Sequence, residues 1–188
     1  MLITTMIFTL ITGTSLNMTE DKSQILFDFK KPETARAWIS VNDNVMGGVS
    51  EGKFKITENK TLQFYGNLSL ANNGGFASVR STPSKLLMQK GDSIMLRIKG
   101  DGREYTLNLY TSKRLTAFAY RHSFATIKDE WIEVSIPLEK FSATSFGRII
   151  SNAPSINPEE IESIGLLLGD KKQGPFQAEL EWIKTKTK

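Results

Sequence analysis

From Ile25 onward the chain alternates between apolar and polar residues. In Ser93 to Lys99, Ile94, Leu96 and Ile98 share one side, with Met95, Arg97 and Lys99 on the other. Tyr105 to Thr111 sets Tyr105, Leu107 and Leu109 against Thr106, Asn108 and Tyr110. Phe176 to Trp182 sets Phe176, Ala178, Leu180 and Trp182 against Gln177, Glu179 and Glu181. Glu51 to Thr57, Thr61 to Leu70 and Ala117 to Phe124 repeat the pattern, and Ile25 to Phe29, Gly75 to Arg80, Trp131 to Ile136 and Ile164 to Leu168 are shorter runs. A period of two marks half-buried strands. About ten such segments, punctuated by Gly, Asn and Pro, predict an all-β antiparallel sandwich or barrel. Helix is confined to one or two short turns. Pro32 to Trp38 carries an early proline with Glu33 beside it, and Asn157 is a candidate cap for the turn over Asn157 to Ile161.

Composition narrows the chemistry. The chain has 188 residues, no cysteine and one histidine, His122. One domain fits that length. Disulfides, thiolate metal sites and a thiol nucleophile are excluded, as is a two-histidine metal site. The net charge of +4 is carried largely by Lys184, Lys186 and Lys188. A nearly neutral body with a short basic end does not predict a nucleic-acid surface, which needs a clustered basic face. The expected organisation is a leader and linker over 1–24, a β-sandwich over 25–183 and a basic tail over 184–188.

Met1 to Ile11 is apolar except for three threonines, and no Lys or Arg precedes it. It has the length of a signal-peptide core and is shorter than the ~20 residues of a membrane span. Two readings stay open: an exported, periplasmic protein, or a chain that truly starts at Met18 and stays in the cytoplasm or at the membrane periphery.

No reactive constellation stands out. His122 is in phase with Phe118 and Tyr120, as expected of a packed or rim histidine, and Ser123 beside it points to the opposite face. There is no G-x-S-x-G elbow. Asp43, Glu51, Asp101 and Asp170 could form a carboxylate pair only by facing each other across a cleft, and as turn acids they are expected to serve local hydrogen bonds. A calcium site at Asp28 with Glu179 or Glu181 would require the terminal strands to pair, and no loop has the D-x-D-x-D-G pattern. No cofactor is expected. Trp131 and Trp182 are expected in the core. Tyr65 and Tyr110 are out of phase with the apolar face and are expected on an outer or concave surface.

Two Asn/Gly segments are the most unusual in the chain. Val41 to Gly52 holds Asn42, Asp43, Asn44, Met46, Gly47 and Gly48, and a second segment holds Asn72, Asn73, Gly74 and Gly75. Turn chemistry is the plain reading. The functional reading is a rim of loops offering amides and carbonyls to a polar glycan or a protein partner. The candidate binding residues are these ten with Arg80, Asp170, Lys171 and Gln173.

Taken together, Trp38, the N-D-N-V-M-G-G-V-S stretch from Asn42 to Ser50, Phe64 to Leu70, N-G-G-F-A-S-V-R from Asn73 to Arg80, Trp131 to Pro137, and Asp170 to Phe176 resemble the complex I intermediate-associated protein 30 family. The resemblance runs from about Ile25 to Ile183. It implies a galactose-binding-like jelly roll and a non-enzymatic, chaperone-like assembly role for NADH:ubiquinone oxidoreductase, with a protein partner and no catalytic residues. A carbohydrate-binding module of the cell envelope is the alternative expectation. The absence of a long Arg- and Ser-rich extension points to a bacterial setting.

Overall fold

The computed structural model describes residues 23–112 and 117–187. The apolar run at 1–11, with its two readings, lies outside the described residues. Among the described residues thirteen strands follow in order: β1 (Ser23–Asp28), β2 (Trp38–Asn42), β3 (Glu51–Ile56), β4 (Leu62–Leu68), β5 (Ala77–Ser81), β6 (Ser93–Lys99), β7 (Glu104–Thr111), β8 (Phe118–Ala125), β9 (Trp131–Pro137), β10 (Ser142–Ser145), β11 (Arg148–Ile149), β12 (Ile161–Leu168) and β13 (Gly174–Lys186). One short helix, α1 (Pro32–Arg36), begins on the expected proline. Asn157 caps a single 3-10 turn, accepting the amide of Glu159 through its side chain.

The strands form two antiparallel sheets. The six-stranded sheet runs β3-β4-β13-β6-β9, with β1 added alongside the second half of β13. The seven-stranded sheet runs β11-β10-β8-β7-β12-β5-β2. Their apolar faces meet in one core: Leu62, Phe64, Leu96, Ile98, Phe176 and Ile183 from the first sheet against Val79, Leu107, Leu109, Ile164, Leu166 and Leu168 from the second. Fully burying a side chain of this size stabilises by about 1.5–3 kcal/mol, so two facing rows hold the sandwich together without staples. The fold is an all-β antiparallel jelly roll, as the alternation predicts.

Trp38 packs in the core against Phe27 and Phe29, with ring centroids 5.2 and 5.5 Å apart. Trp131 and Trp182 do not join it. Both are half-buried on the outer face of the six-stranded sheet. Trp131 lies under Arg97 and Lys99, and Trp182 under Lys184. The reason for Trp182 is a register shift between Leu180 and Trp182 in the pairing with β6, which inserts Glu181 and reverses the phase. Beyond it Ile183 and Thr185 point inward. For Trp131 the partner is Lys99, an outward position, while Ile132 pairs with core residue Ile98. β13 continues through Lys184 and Lys186, which pair with β6 on one side and β1 on the other.

Candidate functional site

The outer face of the seven-stranded sheet is concave and holds a cavity of about 1190 Å³. Its floor follows from strand register. One row crosses the sheet through Ile39, Arg80, Gly165, Asn108, Arg121 and Ser142, each paired with its neighbour. Ile39, Arg80, Arg121 and Ser142 of this row line the cavity, and Gly165 and Asn108 lie buried between them.

Glycine at 165 leaves room for an aromatic ring. A Cβ there would lie 3.2 Å from the ring of Tyr110 and 3.0 Å from the carbonyl of Val79. The Arg80 guanidinium stacks on the Tyr110 ring, 4.5 Å from its centroid. The Tyr110 hydroxyl accepts a hydrogen bond from Asn108 Nδ2 at 3.1 Å. Asn108 Oδ1 and Arg121 Nε are buried without a hydrogen-bond partner among the described residues. Burial lowers the Arg121 pKa, and the nearby Tyr110 acts in the opposite sense. Neither Arg80 nor Arg121 has an ion-pair partner among the described residues. Lys140 adds a third cation to the lining, and Glu162 is the acid among the described lining residues.

The walls are apolar at both ends. Val45 and Met46 rise beside Gly75 at one corner, and Phe146 and Ile149 of the β10–β11 hairpin stand at the other. Met46 is 60% and Ile149 74% exposed. A turn with positive φ at Phe146 and Gly147 carries that hairpin.

The sequence candidates divide. Met46, Gly75 and Arg80 line the cavity. Asp43 is buried and acts as a hub. It accepts the Ser50 amide at 2.9 Å, the Ser50 hydroxyl at 2.6 Å, and the amides of Gly75 and Phe76 at 2.7 and 3.3 Å. Burial raises its pKa, but these hydrogen bonds outweigh burial and bring it below the ordinary value. Gly48 and Gly74 stand where a Cβ would lie 2.4 and 2.5 Å from that carboxyl group. The two Asn/Gly segments therefore pack onto each other around Asp43, and those two glycines are architectural. Asn42 binds the carbonyl of Gly52, Gly47 ends a 3-10 turn as Asn44 accepts its amide, and Asn72 and Asn73 form an exposed left-handed turn.

Asp170 serves a different anchor. Its carboxylate takes two hydrogen bonds from Arg103, at 2.6 and 3.0 Å, and Arg103 also reaches the carbonyls of Lys172 and Pro175. Lys171 and Gln173 are exposed on the same loop and do not line the cavity. His122 packs on Phe141, and its Nδ1 lies 3.1 Å from the Lys140 carbonyl. Of the other turn acids, Asp101 accepts from Tyr105 Oη and from the amides of Arg103 and Gln177, and Glu51 bonds Lys53. β1 and β13 do pair, yet Glu179 is taken by Lys99 and Thr61, and Glu181 by Arg97. Among the described residues no group of three metal-binding side chains comes together.

Sequence reasoning missed Asn108 and Arg121. Asn108 alternates with Thr106 and Tyr110, so its outward direction was legible. The signal was a polar stripe, which reads equally as a solvated face.

Residues 27–180 match the model of the family described as Complex I intermediate-associated protein 30 (CIA30). Over 184 aligned residues the chain is 27% identical to the mouse mitochondrial protein of that name, covering 87% of this chain and 56% of the relative. The Drosophila melanogaster protein of that name is 22% identical, covering 86% and 62%. The chain thus spans between half and two thirds of the length of these relatives. Among solved structures it resembles a family 11 carbohydrate-binding module from Clostridium thermocellum, solved with a beta-1,3-1,4-mixed-linked tetrasaccharide. That match has a TM-score of 0.66 at 18% identity and covers 88% of this chain and 95% of the module. A family 30 module of the same organism matches with a TM-score of 0.54 at 13% identity, over 81% and 92%. These structures share the fold. With the family match covering most of the jelly roll, the chain belongs to the complex I intermediate-associated protein 30 family.

Proposed function

We propose that this protein is a non-enzymatic assembly factor that docks a protein partner, an intermediate of respiratory complex I, on the concave face of its seven-stranded sheet. The observation that carries this reading is the distribution of exposed apolar side chains. Ile39, Val45, Met46, Phe146 and Ile149 are all exposed and all line one cavity. Exposed apolar groups gathered in one concave place mark an interaction surface, whereas scattered ones carry no meaning. An apolar rim over a hydrogen-bonding floor suits a polypeptide. The names of the mitochondrial relatives supply the kind of partner.

Site-specific photocrosslinking tests it. A benzophenone side chain placed at Ile149 or Met46 is expected to form a discrete adduct with a complex I subunit in respiratory membranes. The same probe at Tyr65, on the outer face of the other sheet, is expected to form none. Adducts from Tyr65 alone would refute the docking face.

A polar glycan is the second reading, favoured by one observation: Tyr110 lies on the concave floor among hydrogen-bonding groups. Millimolar oligosaccharide that shifts no floor resonance removes it.

A further inference from the structure

Three hydrogen-bond donors, Arg80, Tyr110 and Arg121, line the same cavity. Arg80 lies on the Tyr110 ring. Arg121 pairs across strands with Asn108, whose side chain donates to the Tyr110 hydroxyl. The Tyr110 hydroxyl oxygen is already occupied as an acceptor by Asn108 Nδ2, and its proton has no acceptor among the described residues. Arginine has no acceptor atoms. The cluster therefore presents donors and positive charge. Both guanidiniums lack a carboxylate partner among the described residues, although Arg121 is partly withdrawn from water. A buried charge without a counter-charge is costly, and an incoming anion offsets that cost.

We propose that Arg80, Tyr110 and Arg121 form a carboxylate subsite, and that it receives an acidic side chain from an extended segment of the partner protein. This rests on the docking role proposed above and specifies its chemistry. Charge complementarity sets the acid. The lining carries Arg80, Arg121 and Lys140 against Glu162. The walls set its flanks, with Met46 at the β2 corner and Ile149 at the β11 corner. Seven strands separate those corners by six interstrand steps, roughly 29 Å, which about nine extended residues span. The occupant is thus an extended stretch with a central acid and an apolar residue near each end.

The test uses two fluorescein-labelled pools of eleven-residue peptides on the full chain. Both carry leucine at the second and tenth positions. One has glutamate at the sixth and the other glutamine, and the remaining positions are randomised among uncharged polar residues. The glutamate pool is expected to bind about 10-fold more tightly in low salt, the scale of a charge-assisted pair, and to lose that advantage as salt rises. Arg80→Gln and Arg121→Lys are each expected to bring the ratio near one, as the second variant keeps the charge but loses the planar fork. Thermal melts check that both remain folded, and Lys55→Gln on the outer face is expected to change nothing. Equal binding of both pools, weakened alike by Ile149→Asp, overturns the carboxylate subsite and leaves the docking face standing. No binding of either pool, with no crosslink from Ile149, overturns both. An oligogalacturonate that binds through the same arginines while neither peptide pool binds overturns the polypeptide occupant.

Discussion

The carboxylate of Asp43 and the backbone amide of Gly75 stand 2.7 Å apart, although 32 positions separate them in the chain. That bond, with those from Ser50 and Phe76, joins the loop after β2 to the loop before β5. It thereby fixes the corner of the concave face that Met46 occupies. Asp43→Asn turns an acceptor-only group into one that must direct an amine at backbone donors. The expected loss is about 2–3 kcal/mol, the cost of leaving buried partners unsatisfied. Urea unfolding at neutral pH measures it. An unchanged midpoint would show that the loops are held by something else.

The same carboxylate sets an acid limit. Asp43 and Asp170 are both held below the ordinary value of 3.8, because hydrogen bonds, and for Asp170 the Arg103 charge, outweigh burial. A depressed folded-state value means the unfolded chain binds the proton more readily. The stabilisation is therefore fully present above the ordinary carboxylate range, and it is lost as pH falls from about 4 through the lower folded values. Stability followed from pH 6 to pH 2 is expected to fall, and to fall less steeply in Asp43→Asn. A variant that matches the parent slope would remove Asp43 from this account.

Gly48→Ala is expected to cost about 1–3 kcal/mol through overpacking against the Asp43 carboxyl group, where the added Cβ would meet Cγ at 2.4 Å. Gly47 adopts φ +88° with open space around it, so alanine there strains the backbone without touching Asp43. Combining each glycine change with Asp43→Ala separates the causes. The cost at Gly48 is expected to shrink in the double variant, and the cost at Gly47 to persist.

Tryptophan substitutions distinguish the two sides of the six-stranded sheet. Trp38→Ala removes a core ring in contact with Phe27 and Phe29, and is expected to cost about 3–5 kcal/mol. Trp182→Ala removes a half-buried ring on the outer face and is expected to cost well under half of that. Equal losses by chemical denaturation would mean that the register shift after Leu180 is misplaced.

The alternation announced the sandwich because both sheets bury one face and leave the other to polar residues. It failed where that rule is locally broken. β2 shows no alternation, since only Trp38 of Trp38–Asn42 is buried; its first residue falls in the expected turn over Pro32 to Trp38 and its last two in the Asn/Gly segment from Val41. β10 and β11 are a short, mostly polar edge hairpin with no apolar run to mark them. Trp182 changes sides through a single inserted residue, which no periodicity reveals. The unusual Asn/Gly loops were visible, but their chemistry serves Asp43, and only Met46, Gly75 and Arg80 among the named candidates line the cavity. Arg121, between Tyr120 and His122, has nothing in the sequence to mark it. Its significance comes from pairing with Asn108 across two strands, a relation that only register creates.

Two methionine methyl groups report on the two outer faces. Met46 stands at the concave rim, and Met95 sits at an outward position of β6 in the other sheet, while Met88 is buried. Methyl-labelled protein titrated with detergent-solubilised complex I intermediates is expected to show shift and broadening at Met46 and none at Met95. Perturbation of Met95 with Met46 unmoved would contradict the concave face as the docking surface.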